Sequence, residues 1–401
     1  MFEEKLKALL LNILTEIAPG GKNISIEKNL FDKLISHLES NEQIIDNFVN
    51  CKINTGRGFS SVSLSSLGQW LIIYSYENSI EKSIKSLFDY LQMSYIPGIS
   101  ILAISGIVVH EKIQISDDID LMPFDDLPFS RMKEALSPYL LGKYLIQGPM
   151  SSNYNDPKAV LIKRIKLTPK SSKNDKIEKV SCIDCADLYD LCLFLTLHSK
   201  AAPVPITHWT EPEEQIPCKN ITDDHVSFPS FLELPHNNVL FLKHEWKSLE
   251  SIYQKYLCLC KEDRDHLKIP INRLNQARRR LSFVDIAIDQ GIVMEALFLN
   301  DKSGNEQVSM TLRLRASLWL GSNIEEREEL FHFFNAAYSC RSKAVHTGRL
   351  DKEVKISHKG KFSIEYILDE SDKKCVESIK KIIMNYGFPN WDRLLLGANE
   401  Q

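Results

Sequence analysis

The chain has 401 residues, 43% of them hydrophobic and 25% charged, the profile of a globular protein with enough apolar material for two or three domains and no need of a disulfide or metal staple. A net charge of −4 is too small to argue for or against a nucleic-acid partner. Nine cysteines, an odd number in no framework spacing, exclude a disulfide scaffold and point to a reducing cytoplasm.

Residues 2–17 place Leu6, Leu9, Leu10, Ile13 and Ile17 at helical spacing until Pro19-Gly20-Gly21 ends the run. Acidic residues at its start make this a first helix and not a signal peptide. No run approaches the roughly 18 apolar residues of a membrane span, so a soluble cytoplasmic protein without a membrane partner is expected. Residues 30–49 read as helix again. Asn78 with Glu81 offers a capping-box start for a helix carrying Ile80, Ile84, Leu87 and Leu91, which Pro97-Gly98 stops. The pattern then turns β-branched from Ile99 to Ile115, broken at Gly106. Asp117-Asp118 predicts a turn, and Ile119–Met122 and Ala159–Leu167 predict strands. Residues 168–180 read as a solvated loop and Leu188–Leu197 as helix. Six of the sixteen prolines fall between Pro203 and Pro235, which predicts irregular chain, neither long helix nor central strand, with a domain boundary near its end.

After Asn238 the pattern is helical. Phe241–Leu259, Arg273–Leu299, Val308–Leu320 and Glu325–Val345 are periodic segments, with Asp301–Asn305 and Gly321–Asn323 as joints. Short joints argue an up-and-down bundle. A strand-like piece at Phe362–Ile367 precedes a fifth helix, Glu370–Tyr386. The expected architecture is multidomain α+β, with a mixed α/β region over residues 1–238 and an all-α bundle over 239–401. From Phe241 to Leu350 there are 17 Lys and Arg against 14 Asp and Glu, about +3, which leaves about −7 elsewhere.

The informative stretch is Tyr338-Ser339-Cys340-Arg341-Ser342-Lys343-Ala344-Val345-His346-Thr347-Gly348. Leu330, Phe333, Ala337, Cys340 and Ala344 share one helical face and predict core. Arg341 sits at the edge of that stripe, and Gly348 is placed to end the helix in a left-handed cap, with His346 in the last turn. By itself such an end is an ordinary one, since a basic side chain before glycine complements the helix dipole.

The chain here resembles the HEPN family, whose signature is an arginine, four to six residues, then a histidine near the end of a bundle helix. Arg341-x4-His346 fits it. Upstream, Arg273-Leu274, Ala277-Arg278-Arg279-Arg280, Asp285 to Asp289 and Met294-Glu295-Ala296-Leu297-Phe298-Leu299 are similar to the first long helix of the ApeA-like subgroup. Arg313-Leu314-Arg315-Ala316 is similar to the next helix. The resemblance covers roughly residues 240–350. Leu121 to Pro128 is similar to regions that precede such domains. Ser342 departs from the larger polar residue that many active members carry after the arginine.

The resemblance implies a metal-independent ribonuclease that needs no cofactor, leaves a cyclic phosphate and builds its site where two protomers meet. It further implies an anti-phage or toxin-type effector, with a phage-encoded trigger or an antitoxin as a possible partner. The chemistry is sound by itself. An RNA 2′-hydroxyl can attack its own phosphorus if a base near neutral pKa and a cation stand by, and histidine and arginine suit those roles. The expected catalytic pair is thus Arg341 and His346, with Glu295, Ser342, Lys343 and Arg313 in support. Arg273, Arg278, Arg279 and Arg280 form the densest basic patch and are the expected RNA contacts, against the plainer reading of a wet helix face. Glu295, in an apolar helix, orients Arg341 or Arg313, or is simply a structural ion-pair partner. Asp285 and Asp289 line the same cleft or a solvated face. The alternative function is a non-catalytic module that binds RNA or a protein.

Other motifs are weaker. Cys182-x2-Cys185 invites a zinc reading, but no second pair stands at zinc spacing, and with Cys192 it reads as a helix burying thiols. Cys258-x-Cys260 is similar. Asp117, Asp118 and Asp120 lack the Gly-Ser loop of a nucleotidyl transferase. His208-Trp209 suggests either a base-stacking site or a tryptophan pinning a loop to the core.

Overall fold

A computed structural model describes residues 2–16, 27–54, 59–60, 62–93, 95–128, 133, 136, 157–167, 170–172, 185–213, 216–217, 233–301 and 307–397. The chain is mixed α/β in its N-terminal half and mainly helical in its C-terminal half.

Helices α1 (Phe2–Glu16), α2 (Lys28–Glu39), α3 (Leu64–Glu77) and α4 (Ile80–Gln92) lead the chain. Leu6, Leu10, Ile13, Leu34, Leu38, Leu67, Leu71, Ile84 and Leu87 interlock as their own core. The capping box expected from Asn78 and Glu81 does not form, and a simple N-cap one residue later takes its place. Ser79 caps α4 by accepting from the Lys82 amide at 3.2 Å, while Asn78 closes α3. Pro19-Gly20-Gly21 lies outside the described residues.

A five-stranded antiparallel sheet follows, in the order β5-β6-β7-β3-β9. The strands are β3 (Ile96–Ser105), β5 (Ile113–Gln114), β6 (Ile119–Pro123), β7 (Ala159–Leu167) and β9 (Val204–Pro212). Short β1 (Cys51–Asn54), β2 (Phe59–Ser60) and β8 (Lys170–Ser172) pair separately, so a strand interrupts the expected loop at 168–180. Strand side chains alternate between faces. Leu102, Ile104 and Leu161 therefore face helix α5 (Ala186–Phe194) and the C-terminal half, while Ile101, Ala103, Val160 and Trp209 pack on Phe124 and Leu127. Both faces are covered, which is why β3 reads as an unbroken apolar run.

The proline-rich segment corrects the expectation of irregular chain, because its first part is β9. That strand lies at the sheet edge, where Pro205 and Pro212 need supply no second ladder of amides. Gly106 turns the chain after β3 at φ +88°, and a β-carbon there would lie 2.4 Å from the Ala202 carbonyl oxygen. Its amide donates to Asn238 Oδ1 at 2.9 Å, and β4 (Ile107–Val108) pairs in parallel with β10 (Val239–Leu240). These links tie the sheet to the bundle, and one hydrophobic cluster runs from Leu102 and Leu161 through Trp246 to Phe334.

The C-terminal half holds α6 (Lys243–Cys258), α7 (Lys261–Ala277), α8 (Phe283–Phe298), α9 (Val308–Leu320), α10 (Ile324–Thr347), α11 (Ile364–Met384) and α12 (Trp391–Leu395). The single segment expected over Arg273–Leu299 is two helices. Arg278 to Ser282 break it, and Arg279 and Arg280 are held in tight turns to Gln276 and Ala277 carbonyls. A hairpin of β11 (Glu353–Ile356) and β12 (Gly360–Ser363) stands between α10 and α11, and Ser363 caps α11 six residues or so before the expected start. No helix among the described residues is long and apolar enough to cross a membrane.

Candidate active site

Helix α10 forms as its spacing predicts. Asn323 accepts from the Glu326 amide at 2.8 Å, and Gly348 closes it at φ +64°, its amide donating to the Ala344 carbonyl at 2.9 Å. Phe333, Ala337, Cys340 and Ala344 are buried, with Leu330 packed against them. Burial raises the Cys340 thiol pKa to about 11, which makes it inert.

Arg341 lies on the flank of this stripe, over α8. Its stem runs across Gly291, where a β-carbon would meet Arg341 Cγ at 2.0 Å. One turn further along α8, Glu295 receives the guanidinium, with Nη2 3.1 Å from Oε1 and 3.4 Å from Oε2. Tyr338, one turn back on α10, donates its hydroxyl to Glu295 Oε1 at 2.6 Å, and its ring lies under the guanidinium with Cζ 5.7 Å from the centroid. Burial, and then the bond to Glu295, raise the Tyr338 pKa to about 12, so the hydroxyl remains a donor. Arg341 Nε is buried without a hydrogen-bond partner among the described residues, whereas the side chain as a whole keeps 27% exposure. The guanidinium is thus oriented by Glu295 and Tyr338, and the side chain stays partly exposed.

His346 lies exposed in the last turn. It stands five positions after Arg341, about 140° around the helix and about 7.5 Å along it. The two groups therefore do not converge within one chain. Ser342 is half-buried, and Lys343 is exposed and pairs with Asp351. Arg313 is not part of the Glu295 arrangement. Its Nη1 donates to Asn335 Oδ1 at 2.6 Å and its guanidinium stacks over Phe331 at 4.5 Å.

The arginine run behaves differently from the expected phosphate grip. Arg278 is buried, with Nε and Nη2 each 2.8 Å from an Asp372 oxygen and Nη1 bonded to the Thr196 and Ala201 carbonyls. Arg279 is buried against Asn275 and the Glu233 carbonyl, and that burial lowers its pKa. Arg280 and Arg273 both pair with buried Asp289, at 2.9 and 3.3 Å, and Arg280 also holds Glu233. The bond to Asp289 raises the Arg280 pKa. These side chains fasten α11 and the segments around Thr196–Ala201 and Glu233 to the α7–α8 corner. Asp289 is buried between its two arginines, while Asp285 is exposed.

His208 and Trp209 are buried in β9, with Trp209 Nε1 donating to Glu211 Oε2 at 3.2 Å, so neither offers a ring to a base. Asp120 is buried and paired with Arg164 at 2.8 Å and Lys112 at 2.9 Å. Cys182 lies outside the described residues. Among those described, no three His, Cys, Asp or Glu side chains gather as metal ligands.

A cleft of about 680 Å³ opens between helices α8 and α11 and the chain around Lys200 and Pro235, lined by Lys200, His236, Phe283, Gln290 and Tyr366 among others. Neither Arg341 nor His346 lines it, so cavity size and the chemistry suggested by the motif point to different places. Sequence reasoning missed Gly291 and the bridging role of Tyr338. The i,i+3 spacing of Tyr338 with Arg341 and the i,i+4 spacing of Gly291 with Glu295 were the available signals. No family profile, curated protein or solved structure matches the chain.

Proposed function

We propose that the chain is a metal-independent endoribonuclease of HEPN type, an anti-phage, abortive-infection or toxin effector that cuts cellular RNA. The observation that supports this most is the presentation of Arg341, which Glu295 and Tyr338 orient from one side while leaving it partly open. A fixed guanidinium stabilises charge developing on a phosphate without reorganising. His346, exposed and unshielded by the core, acts as the acid/base, taking the 2′-hydroxyl proton and returning one to the 5′-oxygen that leaves.

The pair diverges on its own helix, so a working site needs the α10 ends of two copies side by side about a two-fold axis. The proposed assembly is a homodimer whose composite site receives one phosphodiester. The N-terminal half then senses a trigger or restrains the nuclease, by analogy alone.

A second reading has its own support. Arg341 is already matched by Glu295, as in a structural ion pair, and this favours a non-catalytic module that binds RNA or a protein. Incubating purified protein with total RNA in EDTA separates the two. Cleavage lost in both Arg341→Ala and His346→Ala supports the nuclease. An intact RNA pool combined with a gel shift supports the binding module.

A further inference from the structure

The sheet half carries a second group of reactive side chains, remote in sequence from the α10 motif. Ser100 on β3 and His208 on β9 lie on the sheet face that α5 crosses, since His208 is in register with Leu102 and Ser100 is two residues away. Ser100 Oγ and His208 Nε2 are 2.7 Å apart, and both residues are buried. His208 Nδ1 lies 3.8 Å from the sulfur of Cys185, the residue that caps the N-terminus of α5. The chain of contacts is hydroxyl, imidazole, thiol.

The geometry accommodates the tautomer in which Nε2–H donates to Ser100 Oγ, so that Nδ1 carries the lone pair and accepts from the Cys185 thiol. The sulfur stands at the positive end of a nine-residue helix, whose dipole favours an anion there. A proton acceptor and a helix N-terminus beside one half-buried sulfur make a nucleophilic thiol. The same helix shows the contrast, because Cys192 is fully buried and its pKa is pushed up to about 12. Cys260 offers another, since it caps α7 but faces the Asp263 carboxylate at 3.3 Å and not an imidazole.

We infer that Cys185 is a peroxide-reactive thiol, activated by His208, with Ser100 as the positioning residue. His208 takes the thiol proton and the thiolate attacks one oxygen of a hydroperoxide. An S–O bond forms and the O–O bond breaks. The sulfur is oxidised to a sulfenic acid, the peroxide is reduced to water or an alcohol, and the proton passes from His208 to the departing oxygen. Oxidation adds a polar atom at the N-terminus of α5. The chain just beyond the other end of that helix is strapped to the bundle by the bonds from Arg278 to the Thr196 and Ala201 carbonyls.

The test treats the purified full chain with hydrogen peroxide and dimedone, and reads each cysteine by peptide mass spectrometry. Cys185 should be tagged about tenfold faster than the more exposed Cys258 and Cys260. His208→Gln should remove that advantage, and Ser100→Ala should reduce it, with Ser100→Thr restoring it. The inference is overturned if wild-type Cys185 is tagged no faster than Cys258, a comparison that needs no variant to fold. It is also overturned if a folded His208→Gln protein keeps the wild-type rate.

Discussion

Gly291 and Arg341 belong to different helices, yet a β-carbon on Gly291 would stand 2.0 Å from Arg341 Cγ. The guanidinium reaches Glu295 only because α8 has no side chain at this point. Gly291→Ala must displace the arginine stem, an overpacking that costs about 1–3 kcal/mol. Under the proposed ribonuclease chemistry, cleavage should fall about tenfold or more, since a reacting group displaced by an ångström loses that much or more. In an Arg341→Ala background the same Gly291→Ala change should cost less, because the 2.0 Å clash with Cγ is gone and only the 2.7 Å approach to the Cβ of residue 341 remains to be relieved. Denaturant midpoints of the four proteins in this cycle measure the coupling. An alanine equally costly in both backgrounds contradicts the contact.

Stability and cleavage should separate at His346. It lies exposed in the last turn, so His346→Ala should change stability by no more than about 0.5 kcal/mol. Under the proposed chemistry it removes about 10²–10⁴-fold in rate. Tyr338→Phe gives the opposite balance. It deletes one hydrogen bond to a carboxylate, about 1.5–3 kcal/mol at full burial and less at this half-buried site, and should slow cleavage only a few-fold because Arg341 keeps Glu295. Melting curves run beside a gel assay of total RNA read both effects. A destabilised His346→Ala protein would show that the histidine is structural.

What the sequence revealed, and what it hid, follows from the range of each interaction. The core stripe of α10 and its Gly348 cap are local, set by a period of 3.6 and one residue free to take φ +64°, so they were legible. The carboxylate of Glu295 in an apolar helix signalled a partner, Arg341 or Arg313, but the choice of Arg341 and the bridging hydroxyl of Tyr338 join residues 46 and 43 positions apart, and local spacing alone does not fix them. The Arg278–Arg280 run was misread for the same reason. A charge run usually faces water, but here the partner of Arg278 is Asp372, 94 residues on. The proline-rich segment misled in another way. Proline argues against a central strand, whereas β9 lies at an edge where proline is tolerated. The peptide ladder there depends on β3, a hundred residues earlier.

Arg278 and Asp372 form a two-point ion pair with side-chain exposures of 7% and 9%. Removing one partner leaves a buried charge, so Asp372→Ala should cost about 3–5 kcal/mol. Replacing both, as Arg278→Met with Asp372→Leu, should recover part of that loss. Recovery will be incomplete, because the same guanidinium also satisfies the Thr196 and Ala201 carbonyls. Urea midpoints test the order of the three variants. If Asp372→Ala unfolds at the wild-type midpoint, the corner is not held by this pair.

His198 should make the same junction sensitive to acid. It is buried, its ring stands edge-on to Phe241 at 4.8 Å, and its Nε2 lies 3.4 Å from the Leu240 carbonyl and 3.7 Å from Glu245. Burial lowers its pKa, and nearby Lys380 and Arg278 act the same way, while Glu245 and the Leu240 carbonyl only partly oppose them. A histidine depressed in the folded state binds fewer protons there than in the unfolded chain. The unfolded form therefore gains as pH falls through the ordinary histidine value of 6.5, and stability drops until the folded-state pKa is passed. Well above 6.5 both states hold the ring neutral and the group contributes no pH dependence. The wild-type melting temperature should thus fall between pH 7.5 and 5.5, and the fall should be smaller in His198→Gln, which keeps a donor for Leu240 but takes up no proton. Parallel pH profiles for the two proteins would show that His198 does not titrate on unfolding.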